Sequence, residues 1–413
     1  MKRRTFLQTI PLFVPTFLAA AEKPLENQAP SDRLRVGSIG VGPMGRGDIL
    51  SMAKHADIVA LCDLDQEYGL AKAMTLAPIA NRYVNGKKVE QKIDTYQDYR
   101  RVLDRDDIDA VAIATPDHWH IKIAIEAMQA GKHVFCQKPL TLTIQENLLI
   151  RKAVQKYGKV FQVGTQQRAQ RDQFMTAALM VRAGMLGKIK RTTCFLGPGR
   201  KSGVIPEVPA PATLDWNIWL GQAPLKPYRW TNDTSFFSAS NAGQGRGHLL
   251  FRWWFEYSGG RITDWGAHHI DCALWILGRQ TPEQGPVSFE PSGVTFVVPY
   301  KDGNPVRDDM YNTPYDFNIV AKFADDSELV ITSDESQNGI LLEGTQGRIF
   351  VNRGKITGKL IDEKAHKTFT NEQYVALYNG KPIESHKANF VRCIREGGTP
   401  VSDVASNVVG MHV

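Results

Sequence analysis

The chain has 413 residues, 42% hydrophobic and 23% charged, an ordinary balance for a soluble globular protein of two or three domains. Its formal charge is +7, but three basic residues fall in the first four positions, so charge argues for neither a nucleic-acid nor a membrane-surface partner. Five cysteines, odd in number and scattered (Cys62, Cys136, Cys194, Cys272, Cys393), exclude a disulfide framework and a cysteine metal site. In chain order, Lys2, Arg3 and Arg4, an apolar run and Ala19–Ala20–Ala21 have the layout of an export signal. Arg3 and Arg4 followed by Thr5, Phe6 and Leu7 are similar to a twin-arginine signal, a class that exports folded proteins. Pro11 and Pro15 interrupt the run, which is too short to span a membrane. The expectation is a signal over 1–21, a polar linker over 22–32, and a periplasmic or otherwise exported protein. Scattered cysteines suit a chain folded in a reducing cytoplasm before export.

From residue 33 strands and helices alternate. "RLRVGSIGV", "IVALCD", "AVAIAT", "HVFCQK" and "VFQVGT" are short apolar runs of strand type. "PMGRGDILSMAKH", a segment near Gln66–Leu76, "WHIKIAIEAMQAG" and "TIQENLLIRKAVQKYG" read as helices, and "DTYQDYRRVLD" is amphipathic. Such alternation predicts an α/β fold with a doubly wound parallel sheet, placed at 33–157. Residues 197–260 are rich in Gly, Pro, Ser and tryptophan; a loop-heavy stretch of this length is usually functional. "HHIDCALWILG" is a helix. "VSFEPSGVTFVV", "YDFNIVAKFADDSELVITS" and "RIFVNRGKITG" predict a mostly antiparallel second sheet within 158–413.

Gly40, Gly42 and Gly45 form G-x-G-x-x-G between a strand and a helix, with Pro43 and Met44 inside the turn. The glycines allow a tight turn and close approach of the backbone to a pyrophosphate, which then meets the helix N-terminus. Asp63 ends the next strand, where a carboxylate can accept hydrogen bonds from ribose hydroxyls and repel a 2′-phosphate. NAD is therefore expected as cofactor, in preference to NADP.

Four stretches, "GSIGVGPMGRG", "VAIATPDHWH", "HVFCQKPLT" and "GGRITDWGAHHID", together resemble the Gfo/Idh/MocA family of glucose–fructose oxidoreductases and inositol dehydrogenases, most closely its exported members. The resemblance implies a Rossmann domain followed by a C-terminal α/β domain with a large open sheet that often mediates homo-oligomers. It also implies a sugar or cyclitol substrate. By carry-over Lys138 lies beside the nicotinamide and the reacting hydroxyl, and Gln137 stands where relatives usually carry glutamate. Asp264 and His268 match the family's Asp-x-x-x-His pattern. Histidine ordinarily titrates near neutrality, which suits His268 to proton transfer, with Asp264 orienting it or binding a hydroxyl. Thr115, Pro116 and His120 are expected around the cofactor. Gln166, Arg168, Trp265 and His269 are expected at the substrate, although a helix cap with a surface arginine explains Gln166 and Arg168 equally well. No carboxylate or cysteine cluster accompanies His118 and His120 at a metal-ligand spacing, so no metal is expected.

The leading expectation is an exported NAD-dependent oxidoreductase of sugars or cyclitols, with Lys138 and His268 handling the proton. Some exported relatives are glycosidases that oxidise a sugar transiently and re-reduce it. Their α-N-acetylgalactosaminidase branch lacks the Lys-Pro pair retained here, which ranks that reading second. A non-catalytic cofactor- or carbohydrate-binding protein is the third.

Overall fold

The computed structural model describes residues 33–76, 81–84, 87–232 and 243–413. The expected signal and linker lie outside the described residues. Eight strands open the chain: β1 (Arg35–Ile39), β2 (Asp57–Cys62), a hairpin of β3 (Asn81–Val84) and β4 (Lys87–Glu90), then β5 (Asp94–Tyr96), β6 (Ala110–Ile113), β7 (His133–Cys136) and β8 (Phe161–Val163). Six form one parallel sheet in the order β5-β2-β1-β6-β7-β8. Every residue of β2 and β6 is buried, as strands covered by helices on both faces require. The helices follow local signals. Helix Ile144–Tyr157 starts at a Thr143/Glu146 capping box and stops at Gly158, whose φ of +60° suits a glycine.

The second sheet runs β12-β15-β16-β9-β17-β18-β19, from β9 (Ile189–Phe195), β12 (Ser288–Phe296), β15 (Pro314–Lys322), β16 (Glu328–Thr332), β17 (Gly339–Gly344), β18 (Arg348–Val351) and β19 (Ile356–Thr357). Its pairs are antiparallel except β16–β9. Helices Thr176–Arg182 and Gly266–Ile276 contribute Ala178, Met180, Ala273 and Ile276 to the core with Ile331 and Leu342 of the sheet. Two small two-stranded pairs, β10 (Trp230–Thr231) with β11 (Gln244–Gly245) and β13 (Tyr300–Lys301) with β14 (Asn304–Pro305), complete the strands described.

A division at residue 157 does not match this architecture. β8 lies beyond it and pairs with β7, because Gly158 turns the chain back along the sheet after the helix. At the other end, Phe390 and Val391 of helix His386–Glu396, and Val404 and Val408 of helix Val404–His412, belong to the cores of the first sheet. The C-terminal segment therefore returns to cover the first domain, drawn by apolar faces that need a partner.

Candidate active site

The carboxyl ends of β2, β1, β6 and β7 stand side by side, so Asp63, Gly40, Thr115 and Lys138 follow one another along one edge of the sheet. A cleft of about 490 Å³ runs along that edge. Open α/β sheets place ligands there. Gly40 has φ +79°, and a Cβ on it would stand 2.7 Å from Thr115 N; one on Gly45 would stand 1.9 Å from Gly40 O. Both glycines are thus required for the turn itself. A Cβ on Gly42 would meet only Tyr68 Cε1, at 3.8 Å, so this glycine leaves space on the cleft side. Helix Pro43–Met52 begins there without a side-chain cap, leaving its first N–H groups for an anion. Pro43 and Met44 are exposed on the cleft wall.

Asp63 accepts hydrogen bonds from Val41 N at 2.8 Å and Asp65 N at 3.0 Å. Burial pushes its carboxyl up to about 6 despite these donors. Thr115 Oγ1, in the cleft lining, is buried with no hydrogen-bond partner among the described residues. A cradle free of Cβ atoms, an uncapped helix start, a carboxylate at the β2 tip and an orphaned hydroxyl fit a dinucleotide. Gly42 and helix Pro43–Met52 would hold its pyrophosphate, and Asp63 a ribose.

His120 is fully buried and serves as a strut. Nδ1 lies 2.7 Å from Pro139 O and Nε2 2.9 Å from Thr115 O, tying the loop after β6 to the loop after β7. His118 likewise faces Trp219 O at 3.0 Å.

Lys138 emerges from β7 with its side chain 5% exposed, and its Nζ lies 2.5 Å from Asp264 Oδ1 and 3.1 Å from Asp264 O. Arg252 Nε donates to the same Oδ1 at 3.2 Å. Burial lowers the proton affinity of Lys138 while Asp264 opposes it. Burial alone would raise the Asp264 carboxyl, but Lys138 and Arg252 hold it at about 2. Gln137 donates to Asp48 Oδ2 at 2.8 Å, and Lys387 Nζ faces the other oxygen of Asp48 at 2.8 Å. Position 137 thus contributes an amide that binds the buried, lysine-paired Asp48.

The Asp264–His268 expectation changes. Helix Arg261–Asp264 ends at Asp264 and helix Gly266–Ile276 begins beyond Trp265, so Asp264 turns to Lys138 and Arg252 instead of orienting His268. His268 is buried, its Nδ1 has no hydrogen-bond partner among the described residues, and burial followed by the Lys138 charge holds it neutral. His269 is an internal residue, its ring nitrogens facing Asn338 Oδ1 at 3.1 Å and Gln167 Nε2 at 3.5 Å. Arg168, expected at the substrate, is 1% exposed and ion-paired with Asp271; it also donates to Ser406 Oγ at 2.8 Å and Val401 O at 3.2 Å. Neither a substrate role nor a surface arginine matches that placement. Gln166 is half-buried in the turn before it. Trp265 is half-buried, with the Arg353 guanidinium 4.9 Å above its ring.

Arg252 and His248 were not anticipated, since a lone arginine and a lone histidine in a loop carry no pattern. Both line the cleft. His248 holds a φ of +48°, in the left-handed region, with its ring 4.0 Å from that of Tyr68 and its Nε2 3.5 Å from Asp65. A strained non-glycine residue beside a cleft marks a site where the surroundings dictate the conformation. The loop-heavy segment reaches over the same cleft. Trp219 O accepts from Trp119 Nε1 at 2.9 Å, and Gln66 N donates to Thr213 O at 3.1 Å. Trp216, Trp253 and Trp254 pack within its aromatic core.

Two sequence models of one family match the chain: the oxidoreductase family's NAD-binding Rossmann fold over residues 34–165, and its C-terminal alpha/beta domain over residues 191–360. A glycosyl hydrolase family 109 protein of Shewanella pealeana is 35% identical over 161 residues, 38% of this chain and 34% of that protein. An alpha-N-acetylgalactosaminidase of Shewanella oneidensis is 32% identical over 160 residues, 38% of this chain and 33% of that protein. The match thus spans about a third of these relatives' length. Among solved structures, the WlbA dehydrogenase from Bordetella pertussis, in complex with NADH and UDP-GlcNAcA, superposes over 92% of both chains with a TM-score of 0.59 at 17% identity, a likeness of fold. With the parallel sheet and glycine turn in place, the chain belongs to the Gfo/Idh/MocA oxidoreductase family, and its first domain is an NAD-binding Rossmann domain.

Proposed function

We propose that this protein is an NAD-dependent oxidoreductase acting on a hydroxyl-bearing carbon of a sugar or cyclitol. The observation that carries the reading is the Lys138–Asp264 pair at the tip of β7, on the rim of the dinucleotide cleft. When bound, the nicotinamide supplies the hydride acceptor and donor. Lys138, its ammonium disfavoured by burial, accepts the hydroxyl proton at Nζ as the carbon is oxidised. Asp264 fixes that Nζ in place and carries the compensating charge. His268, held neutral nearby, is a second proton acceptor. The WlbA likeness, to a dehydrogenase solved with NADH and a nucleotide sugar, supports a carbohydrate substrate.

A second reading is favoured by the named relatives: glycoside hydrolysis through transient oxidation, elimination and re-reduction. One experiment separates the two. The purified protein with NAD is offered a polyol and sugar panel and a p-nitrophenyl glycoside panel. Net NADH formation is expected on the first, and its loss in Lys138→Met with NAD still bound. Released nitrophenol without net NADH selects the glycosidase, and near-normal turnover in Lys138→Met removes the lysine from either scheme.

Export through the twin-arginine route and a periplasmic location belong to the same proposal. They are supported by the N-terminal sequence and by five buried, unbridged cysteines. A homo-oligomer is supported by exposed apolar residues on β12, among them Phe289 at 45%. Cell fractionation and native mass spectrometry test both.

A further inference from the structure

The turn His248–Trp253 brings an arginine to Lys138 from the second half of the chain. Leu250, Phe251 and Trp253 of this turn are buried in the aromatic core of the loop-heavy segment, which fixes it in place. At its start His248 packs on Tyr68 and faces Asp65, near the Asp63 end of the cleft. Four residues on, Arg252 reaches the rim where Lys138 stands, and both side chains line the same cavity.

Arg252 does not meet Asp264 as a structural pair would. Arg168 and Asp271 show that ordinary form in this chain: two guanidinium nitrogens take the two carboxylate oxygens, one each. Arg252 instead donates through Nε, at 3.2 Å, to the Oδ1 that Lys138 Nζ already occupies at 2.5 Å. Neither cation donates to Oδ2. The Nη1 of Arg252 makes only a long contact with Leu249 O, at 3.4 Å. Two cations on one oxygen stand less than about 6 Å apart, a range over which one charge moves the titration of another.

The charge balance gives this arrangement a chemical consequence. With Lys138 protonated, the trio of Lys138, Arg252 and Asp264 is positive; with Lys138 as the neutral amine, it has no net charge. Loss of the Lys138 proton therefore leaves Asp264 still paired, by Arg252, and strands no carboxylate in a largely buried site. Without Arg252 the same step would turn a neutral pair into a lone carboxylate, and Lys138 would keep its proton. The other titratable groups facing Lys138 do not supply this compensation. His120 and His268 are buried and held neutral. Asp117 is buried, accepts from Ser258 Oγ at 2.6 Å, and makes no ion pair with Lys138 among the described residues. Burial pushes its carboxyl up to about 7.

We propose that Arg252 is a positioning residue for proton transfer: by sharing Asp264 Oδ1 with Lys138, it lets Lys138 stand as the neutral amine that accepts the hydroxyl proton. The inference rests on the oxidoreductase reading above, with Lys138 as its proton acceptor. The test titrates Lys138 directly. The purified protein is acetylated with trace acetic anhydride across a pH series, and the extent at Lys138 is read by mass spectrometry of a digest. In the wild type its midpoint should fall below that of the surface lysines in the same digest. In Arg252→Met the midpoint should rise by about one pH unit or more, and in Arg252→Lys, which keeps a cation there, it should return most of the way. The rise should persist when Arg252→Met is made in an Asp117→Asn background, which excludes an effect relayed through that acid. The acid limb of kcat/KM should move to higher pH together with the labelling midpoint. Lys138 titrating with the surface lysines in the wild type overturns the proposal without a variant, as does an unmoved midpoint in a folded Arg252→Met. A labelling midpoint that rises while the kcat/KM limb stays in place keeps the coupling of Arg252 to Lys138 and removes Lys138 as the proton acceptor.

Discussion

Replacing Asp264 with asparagine removes the carboxylate that Lys138 and Arg252 share, and the structure sets the size of the effect. The carboxyl sits at about 2 against an ordinary 3.8, because the two cations outweigh the burial that would raise it. At roughly 1.4 kcal/mol per unit, that depression is worth about 2 kcal/mol of folding stability. A carboxyl depressed in the folded state contributes fully above its unfolded value near 3.8 and loses the contribution as pH falls toward 2. The variant also leaves a buried ammonium beside a guanidinium, and breaking a buried pair costs about 3–5 kcal/mol. Urea unfolding at pH 7 should therefore show Asp264→Asn less stable by about 2–5 kcal/mol, with the gap narrowing only below about pH 4. Without the anion that opposes burial, Lys138 loses its proton more readily, so the acid limb of the kcat/KM profile should move to lower pH. A variant within about 0.5 kcal/mol of wild type at pH 7 would refute the energetic argument. An acid limb displaced to higher pH would refute the assignment of Lys138 as proton acceptor.

Three further outcomes are expected. Gly45→Ala forces a Cβ to 1.9 Å from Gly40 O and should lower the melting temperature of the apoprotein, whereas Gly42→Ala should leave that temperature unchanged and weaken NAD binding by about tenfold or more, read by fluorescence titration. Gln137→Glu sets a second carboxylate against Asp48 with Lys387 to share. It should cost about 1–3 kcal/mol at pH 8, and because the new carboxyl is raised in the folded state, the loss should shrink toward pH 5 in urea melts. Arg168→Met breaks a fully buried pair with Asp271 and should cost about 3–5 kcal/mol in unfolding experiments; native stability with a raised KM for substrate would restore Arg168 to the substrate site.

Much of the first domain was legible because its signals are local. A glycine turn between a strand and a helix, an acid at the next strand's tip and a proline after Lys138 each state their geometry within a few residues, and the structure places all of them on one sheet edge. The same locality explains the misses. β9 and β17, which sit at the centre of the second sheet, went unread because "IKRTTCF" and "GILLEG" carry weak strand patterns and gain their stability from neighbours such as β16. β5, only three residues long, was hidden in an amphipathic segment.

Side-chain partnerships divide along the same line. Residue type and spacing pointed to the dinucleotide turn and an NAD-binding Rossmann domain, and the resemblance to the family singled out Lys138, Asp264 and His268. Only the tertiary structure decided that Asp264 serves Lys138 and Arg252, that Gln137 binds an Asp48 carboxylate paired with Lys387, and that Arg168 and His269 are internal. The reason is distance along the chain. Lys138 is 126 residues from Asp264, Gln137 is 89 from Asp48, and Arg168 is 103 from Asp271. Periodicity and turn chemistry report on a residue's immediate neighbours, whereas a charge is assigned its task by whatever the packed sheets and helices bring within hydrogen-bond reach.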